Sequence, residues 1–127
     1  MSFQVERYDH VVLTVINIEA SIDFYTRVMG MEAVTFDGNR RALHFGQQKI
    51  NLHEVGKEDP LRALRPTSGS GDLCFITRTP LSVVLEHLKN CEVEVEVGPV
   101  ERIGALGPMM SVYFRDPDNN LIEVANY

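Results

Sequence analysis

The chain has 127 residues, 44% of them hydrophobic and 24% charged, which suits one ordinary globular domain or two small modules sharing a core. That mix excludes long disorder, collagen-like repetition and a disulfide scaffold. Eighteen acidic against twelve basic side chains, a net charge of −6, argue against a phosphate backbone or an anionic membrane as the main partner, so neither nucleic acid nor membrane is expected.

The opening MSFQVERYDHVVLTV has neither the basic start nor the apolar run of a secretory signal, and no segment approaches the length of a membrane span. A cytoplasmic location is expected. Cys74 and Cys91 show no CxxC spacing, so each reads as a reduced, small, buried hydrophobe.

Tyr8 to Val15 is rich in Val, Leu and Thr and predicts a strand. From Ile18 to Met31 the apolar residues Ile18, Ile22, Tyr25, Val28 and Met29 recur at helical spacing, with Asn17 as N-cap and Gly30 as stop. Three short strands follow, around Glu32–Phe36, Arg41–Phe45 and Lys49–Val55. The stretch 57–70, with two prolines and a Gly/Ser cluster, predicts a surface linker with one helical turn around Leu61–Leu64. The order then repeats: a strand at Asp72–Thr77, a helix at Leu81–Leu88, and strands at Val93–Val97, Met109–Phe114 and Leu121–Ala125.

Both halves therefore read βαβββ, as module 1 (6–56) and module 2 (71–127) of a single domain covering 1–127. ALHFGQQKINLHEV (42–55) lies over SVYFRDPDNNLIEV (111–124) at an offset of 69, and DHVVLTV (9–15) over GDLCFIT (71–77) at 62, which puts Asp72 in the place of His10. Modules this small are expected to pair, giving an α+β fold in which a cupped mixed sheet carries the helices outside.

Alternation along the strands selects the lining of the cup. Val11, Leu13 and Val15 suit the helix side, leaving His10, Val12 and Thr14 inward; the same parity turns Asp72, Cys74, Leu121, Glu123 and Ala125 inward. In the fourth strand Ile50 and Leu52 take the helix side, so Asn51 and His53 face the cup and Glu54 does not. The ungapped repeat would instead pair Glu54 with Glu123, a conflict that a hairpin of different length resolves. His and carboxylate side chains converging from separate strands are a ligand set for Zn²⁺, Ni²⁺, Fe²⁺, Mn²⁺ or Co²⁺.

DHVVLTV, the helix end FYTRVMGM, the strand KINLHEV and above all SVYFRDPDNNLIEVANY resemble the vicinal oxygen chelate superfamily of glyoxalases, extradiol dioxygenases and bleomycin-resistance proteins. The resemblance covers nearly the whole chain and is closest to small glyoxalase-domain proteins. Asn119 stands where the family's turn usually has glycine. The resemblance implies a divalent transition metal, with His10 and Glu123 matching the first and last ligands. Asp72 replaces a usual histidine, and Asn51 a usual glutamate or glutamine, with His53 one step further on the same face. The expected metal set is thus His10, His53, Asp72 and Glu123, with Asn51 as an alternative to His53.

The family chemistry is bidentate chelation of two neighbouring substrate oxygens, with Glu123 or Asp72 as the base for proton abstraction. This implies a glyoxalase-like isomerase or lyase acting on a small molecule; the alternative is a metal-free ligand-binding dimer of the bleomycin-resistance kind. A homodimer is expected in either case. Structural readings compete: His10, His53 and Asp72 could be hydrogen-bonded cup residues, the last two satisfied by water or Arg41. Arg40, Arg41 and Arg115 could hold an anion, Arg115 more readily serving its own turn, and Met109 and Met110 could be pocket wall or core filler.

Overall fold

The computed structural model describes residues 2–127. The chain divides into two compact units, the first ending at Pro66 and the second running from Thr67 to Tyr127, so the boundary lies inside the proline-rich 57–70 stretch. Each unit is βαβββ. The first comprises β1 (His10–Val15), α1 (Ile18–Arg27), β2 (Glu32–Phe36), β3 (Arg40–Phe45) and β4 (Gln48–Glu54); the second, β5 (Asp72–Ile76), α2 (Leu81–Asn90), β6 (Val97–Gly104), β7 (Gly107–Arg115) and β8 (Leu121–Asn126). The strands form two mixed four-stranded sheets of the same order, β1-β4-β3-β2 and β5-β8-β7-β6. In each, the first and last strands of the unit run parallel at one side.

Local chemistry sets the elements. Asn17 caps α1 by accepting from the Ala20 N–H at 3.0 Å, and Glu19 and Arg27 stand at the ends that the helix dipole favours. The expected run to Met31 is shortened to Arg27. Gly30 takes φ +66°, and the Met31 N–H turns back to the Tyr25 carbonyl at 3.0 Å, closing the helix. Ile22, Phe24 and Tyr25 are buried beneath α1, a burial worth roughly 1.5–3 kcal/mol per large apolar side chain.

At α2, Pro80 offers no capping side chain. Asn126 at the end of β8 does the work instead: its Oδ1 accepts from the Leu81 N–H at 3.0 Å, and its Nδ2 donates to the carbonyls of Thr77 and Thr79.

Two further expectations are corrected. Leu61–Leu64 forms bends rather than a helical turn, with both leucines exposed between Pro60 and Pro66. The Val/Glu alternation of 93–97 does not make a strand of its own; β6 starts at Val97 because its partner β7 returns through a two-residue turn at Ala105–Leu106 and fixes the pairing from there. Gly98 supplies φ +111° at the register shift between Val97 and Val100, its Cα packed against the Ser111 carbonyl where a Cβ would collide.

The turn after β7 is tied down from inside. Asp116 Oδ1 accepts from the backbone N–H groups of Asp118 and Asn120, and Asp116 Oδ2 from Asn120 Nδ2 at 2.8 Å. Asn120 Oδ1 then accepts from the Gly71 N–H at 2.7 Å, fastening the turn to the start of β5. Both side chains are buried, and Asn119 occupies the left-handed region at φ 64°.

Candidate functional site

The register settles which residues share a face. In the first unit His10 pairs with Lys49, Val12 with Asn51 and Thr14 with His53, so His10, Asn51 and His53 stand on one face, as strand parity predicted. In the second, Asp72 pairs with Leu121 and Cys74 with Glu123. Taking His10 and Asp72 as equivalent strand starts, Lys49 corresponds to Leu121 and Asn51 to Glu123. The counterpart of Glu123 is therefore Asn51, not the Glu54 of the ungapped repeat.

His53 lies one step beyond that position, beside Thr14 and four residues along from the row of His10, a distance of about 13 Å at the usual strand rise. Its Nε2 is 3.8 Å from Asp59 Oδ2. The register thus brings Asn51, rather than His53, diagonally next to His10.

His10 has the orientation of a supported ligand. Its half-exposed ring lies with Nδ1 2.8 Å from Asp9 Oδ1, an arrangement in which Nδ1–H donates to the carboxylate and Nε2 presents its lone pair. The same bond holds the Asp9 carboxyl below its usual range.

Glu123 is flanked in register by Cys74 on β5 and Tyr113 on β7. Ser111 donates its hydroxyl to Glu123 Oε2 at 2.6 Å. Arg102 Nε in turn donates to the Tyr113 hydroxyl at 3.1 Å. Partial burial of the sulfur, then the Glu123 charge, push the Cys74 thiol up to about 11; the residue as a whole is exposed and Cys91 is half-buried, so neither is the buried hydrophobe expected. Burial first and Glu123 after Arg102's opposing bond also raise Tyr113.

Asp72 is exposed at the start of β5. Among the described residues no three His, Cys, Asp or Glu side chains gather as a metal site. His10 in the first unit, an oriented imidazole, and Glu123 in the second, a carboxylate, are each the kind of donor a divalent ion takes, while Asn51 is a weaker oxygen donor than a glutamate would be.

Ser111, Tyr113 and Asp9 escaped the sequence reading, although Tyr113 and Ser111 share the parity of Glu123's face and Asp9 adjoins His10. Arg115 serves its turn, donating from Nε and Nη2 to Glu96 at 3.1 Å each and from Nη1 to the Asn119 carbonyl. Met109 and Met110 line a cavity of about 340 Å³ in the second unit with Leu81, Pro99, Pro108 and Tyr127.

The family model of the Glyoxalase/Bleomycin resistance protein/Dioxygenase superfamily matches residues 7–124. The chain belongs to this superfamily. It is 53% identical to virulence protein STM3117 of Salmonella typhimurium over 97% of its own length and 85% of that protein's. It is 50% identical to the glyoxalase domain-containing protein RDO1 of Mycosarcoma maydis, over 97% of this chain and 69% of RDO1. Among solved structures, the integron cassette protein VCH_CASS1 from the mobile metagenome of V. cholerae superposes with a TM-score of 0.98 at 49% identity, covering 100% of this chain and 99% of that one.

No helix among the described residues is long and apolar enough to cross a membrane.

Proposed function

We propose that this glyoxalase-superfamily protein is a metal-dependent isomerase or lyase acting on a small substrate with two neighbouring oxygens. His10 and Glu123 are the ligands on which the reading rests, with Asp72 and either His53 or Asn51 as further partners; the strand register favours Asn51. The observation that carries the reading is Glu123, a partly buried carboxylate that accepts from the Ser111 hydroxyl at 2.6 Å and has Cys74 and Tyr113 beside it in register. Such a group is costly to leave charged in that position unless a cation or several donors hold it.

Bound Zn²⁺, Ni²⁺, Mn²⁺, Fe²⁺ or Co²⁺ would supply Lewis acidity to the substrate oxygens. The chain supplies the rest. Asp9 fixes the His10 ring, Ser111 fixes one oxygen of Glu123, and Tyr113 stands beside that carboxylate in register. Glu123, or Asp72 near it on β5, takes the proton from carbon next to the substrate carbonyl.

The test is solvent-deuterium incorporation into α-hydroxycarbonyls, hemithioacetals and 2-substituted acyl thioesters, followed by mass spectrometry with and without metal. Metal-dependent exchange in at least one class is expected, and its abolition in Glu123→Gln. A second reading, a metal-free ligand-binding dimer, is favoured by Asp72 and Asn51 standing where the metal enzymes carry stronger ligands. It takes over if no substrate exchanges while metal is bound.

A further inference from the structure

The end of α2 carries two metal-ligating side chains that the proposed function does not use. His87 and Cys91 are four residues apart and so share one side of the helix, with His87 Nε2 3.5 Å from Cys91 Sγ. We propose that this pair is a second metal site, which takes a thiophilic divalent ion of the Zn²⁺ or Cd²⁺ kind between the Cys91 sulfur and the His87 ring.

The two donors already stand at the spacing of two corners of a zinc tetrahedron. With Zn–S at about 2.3 Å and Zn–N at about 2.0–2.1 Å, their separation of 3.5 Å corresponds to an S–Zn–N angle of about 105–109°. The ion takes the place of the proton between the two atoms. One proton leaves for solvent, Cys91 becomes a thiolate, and His87 stays neutral with its ring proton on Nδ1. Water fills the remaining corners. Held by two protein donors rather than three or four, the ion is lost on desalting, so metal that the purified protein retains is not metal at this site.

The helix end holds the donors in place. Cys91 is the C-cap, and its N–H bonds the His87 carbonyl at 2.9 Å. Glu92 follows in the left-handed region at φ 60°, its N–H bonding the Lys89 carbonyl at 3.0 Å, while the Val93 N–H reaches back to the Leu88 carbonyl at 2.9 Å. Leu88, between the two donors, is buried and anchors the turn. Cys91 is half-buried and His87 exposed, so the pair is fixed at its base and open to ions from solvent. A helix C-terminus also favours a cation. Lys89, the other basic residue of that turn, is two positions from each donor and so lies on another side of the helix.

The experiment is titration of the full, reduced chain with Cd²⁺, followed through the ultraviolet charge-transfer band of a cadmium-bound thiolate. Histidine and carboxylate ligands give no such band, so the result is independent of whether His10 and Glu123 bind metal, and Cys74→Ser removes the one other thiol. The band is expected to saturate at one Cd²⁺ per chain, to persist in His10→Ala and Cys74→Ser, and to fade as excess Zn²⁺ displaces the probe. Cys91→Ser should abolish it. His87→Gln should weaken Cd²⁺ about tenfold or more, since even an outer partner of a metal ligand is worth that much; circular dichroism confirms the fold of each variant. Absence of the band overturns the proposal, as does a band that Cys74→Ser removes, that Cys91→Ser leaves in place, or that His87→Gln leaves at full affinity.

Discussion

Cys74 and Glu123 are direct register partners across the parallel β5–β8 pair, so the thiol stands beside the carboxylate. Partial burial of the sulfur first, and then the Glu123 charge, hold the thiol protonated to about pH 11. Alkylation by iodoacetamide at pH 8 should therefore be far slower at Cys74 than at an ordinary thiol. Glu123→Gln removes the negative charge, lowers the thiol's titration point and should raise the rate. A Cys74 as reactive as a free cysteine would contradict the geometry.

The same group predicts a pH dependence. Because the folded-state titration of Cys74 lies above the thiol's ordinary value of 9.0, the folded chain holds this proton more tightly than the unfolded chain. The resulting stability is complete below about pH 9 and is lost as pH rises toward 11. Urea midpoints of the wild type should fall across that window more steeply than those of Cys74→Ala.

Asn120 joins the turn after β7 to the start of β5 through Asp116 and Gly71. Asn120→Ala leaves a buried carboxylate oxygen and a backbone N–H each short of a partner, which should cost about 2–4 kcal/mol. Asn119→Gly should instead be neutral or slightly stabilising, since φ 64° suits glycine better than any L residue. Chemical denaturation checks both.

How much of this was legible in the sequence depends on the kind of signal. Hydrophobic alternation correctly put His10, Asn51 and His53 on one face and Cys74 on the same face as Glu123, because a strand has only two faces. It says nothing of position along the strand, so it could not decide between His53, placed in the metal set, and Asn51, its alternative. The ungapped offset of 69 failed for a related reason: the two units differ in loop length, and register equivalence runs from Asn51 to Glu123. Asn126 as the cap of α2 was invisible, since the helix and its cap lie 45 residues apart.

A homodimer is the expected solution form. Leu61 and Leu64 in the first unit, and Ile103 and Leu106 in the second, are each more than three-quarters exposed, apolar side chains that a second copy would cover. Sedimentation equilibrium at micromolar concentration should report twice the 14.3 kDa chain mass. A single species at the chain mass would contradict this.

The metal content of the purified protein tests the central claim most directly. After exchange into Zn²⁺, Ni²⁺, Mn²⁺, Fe²⁺ and Co²⁺, elemental analysis should find roughly one ion per chain for at least one of them. His10→Ala and Glu123→Ala should each lose most of it, and Asp9→Asn, which disturbs only the orientation of the imidazole, should weaken retention about ten-fold or more. Equal metal retention by the wild type, His10→Ala and Glu123→Ala, or no retention of any of the five ions by the wild type, would contradict the account.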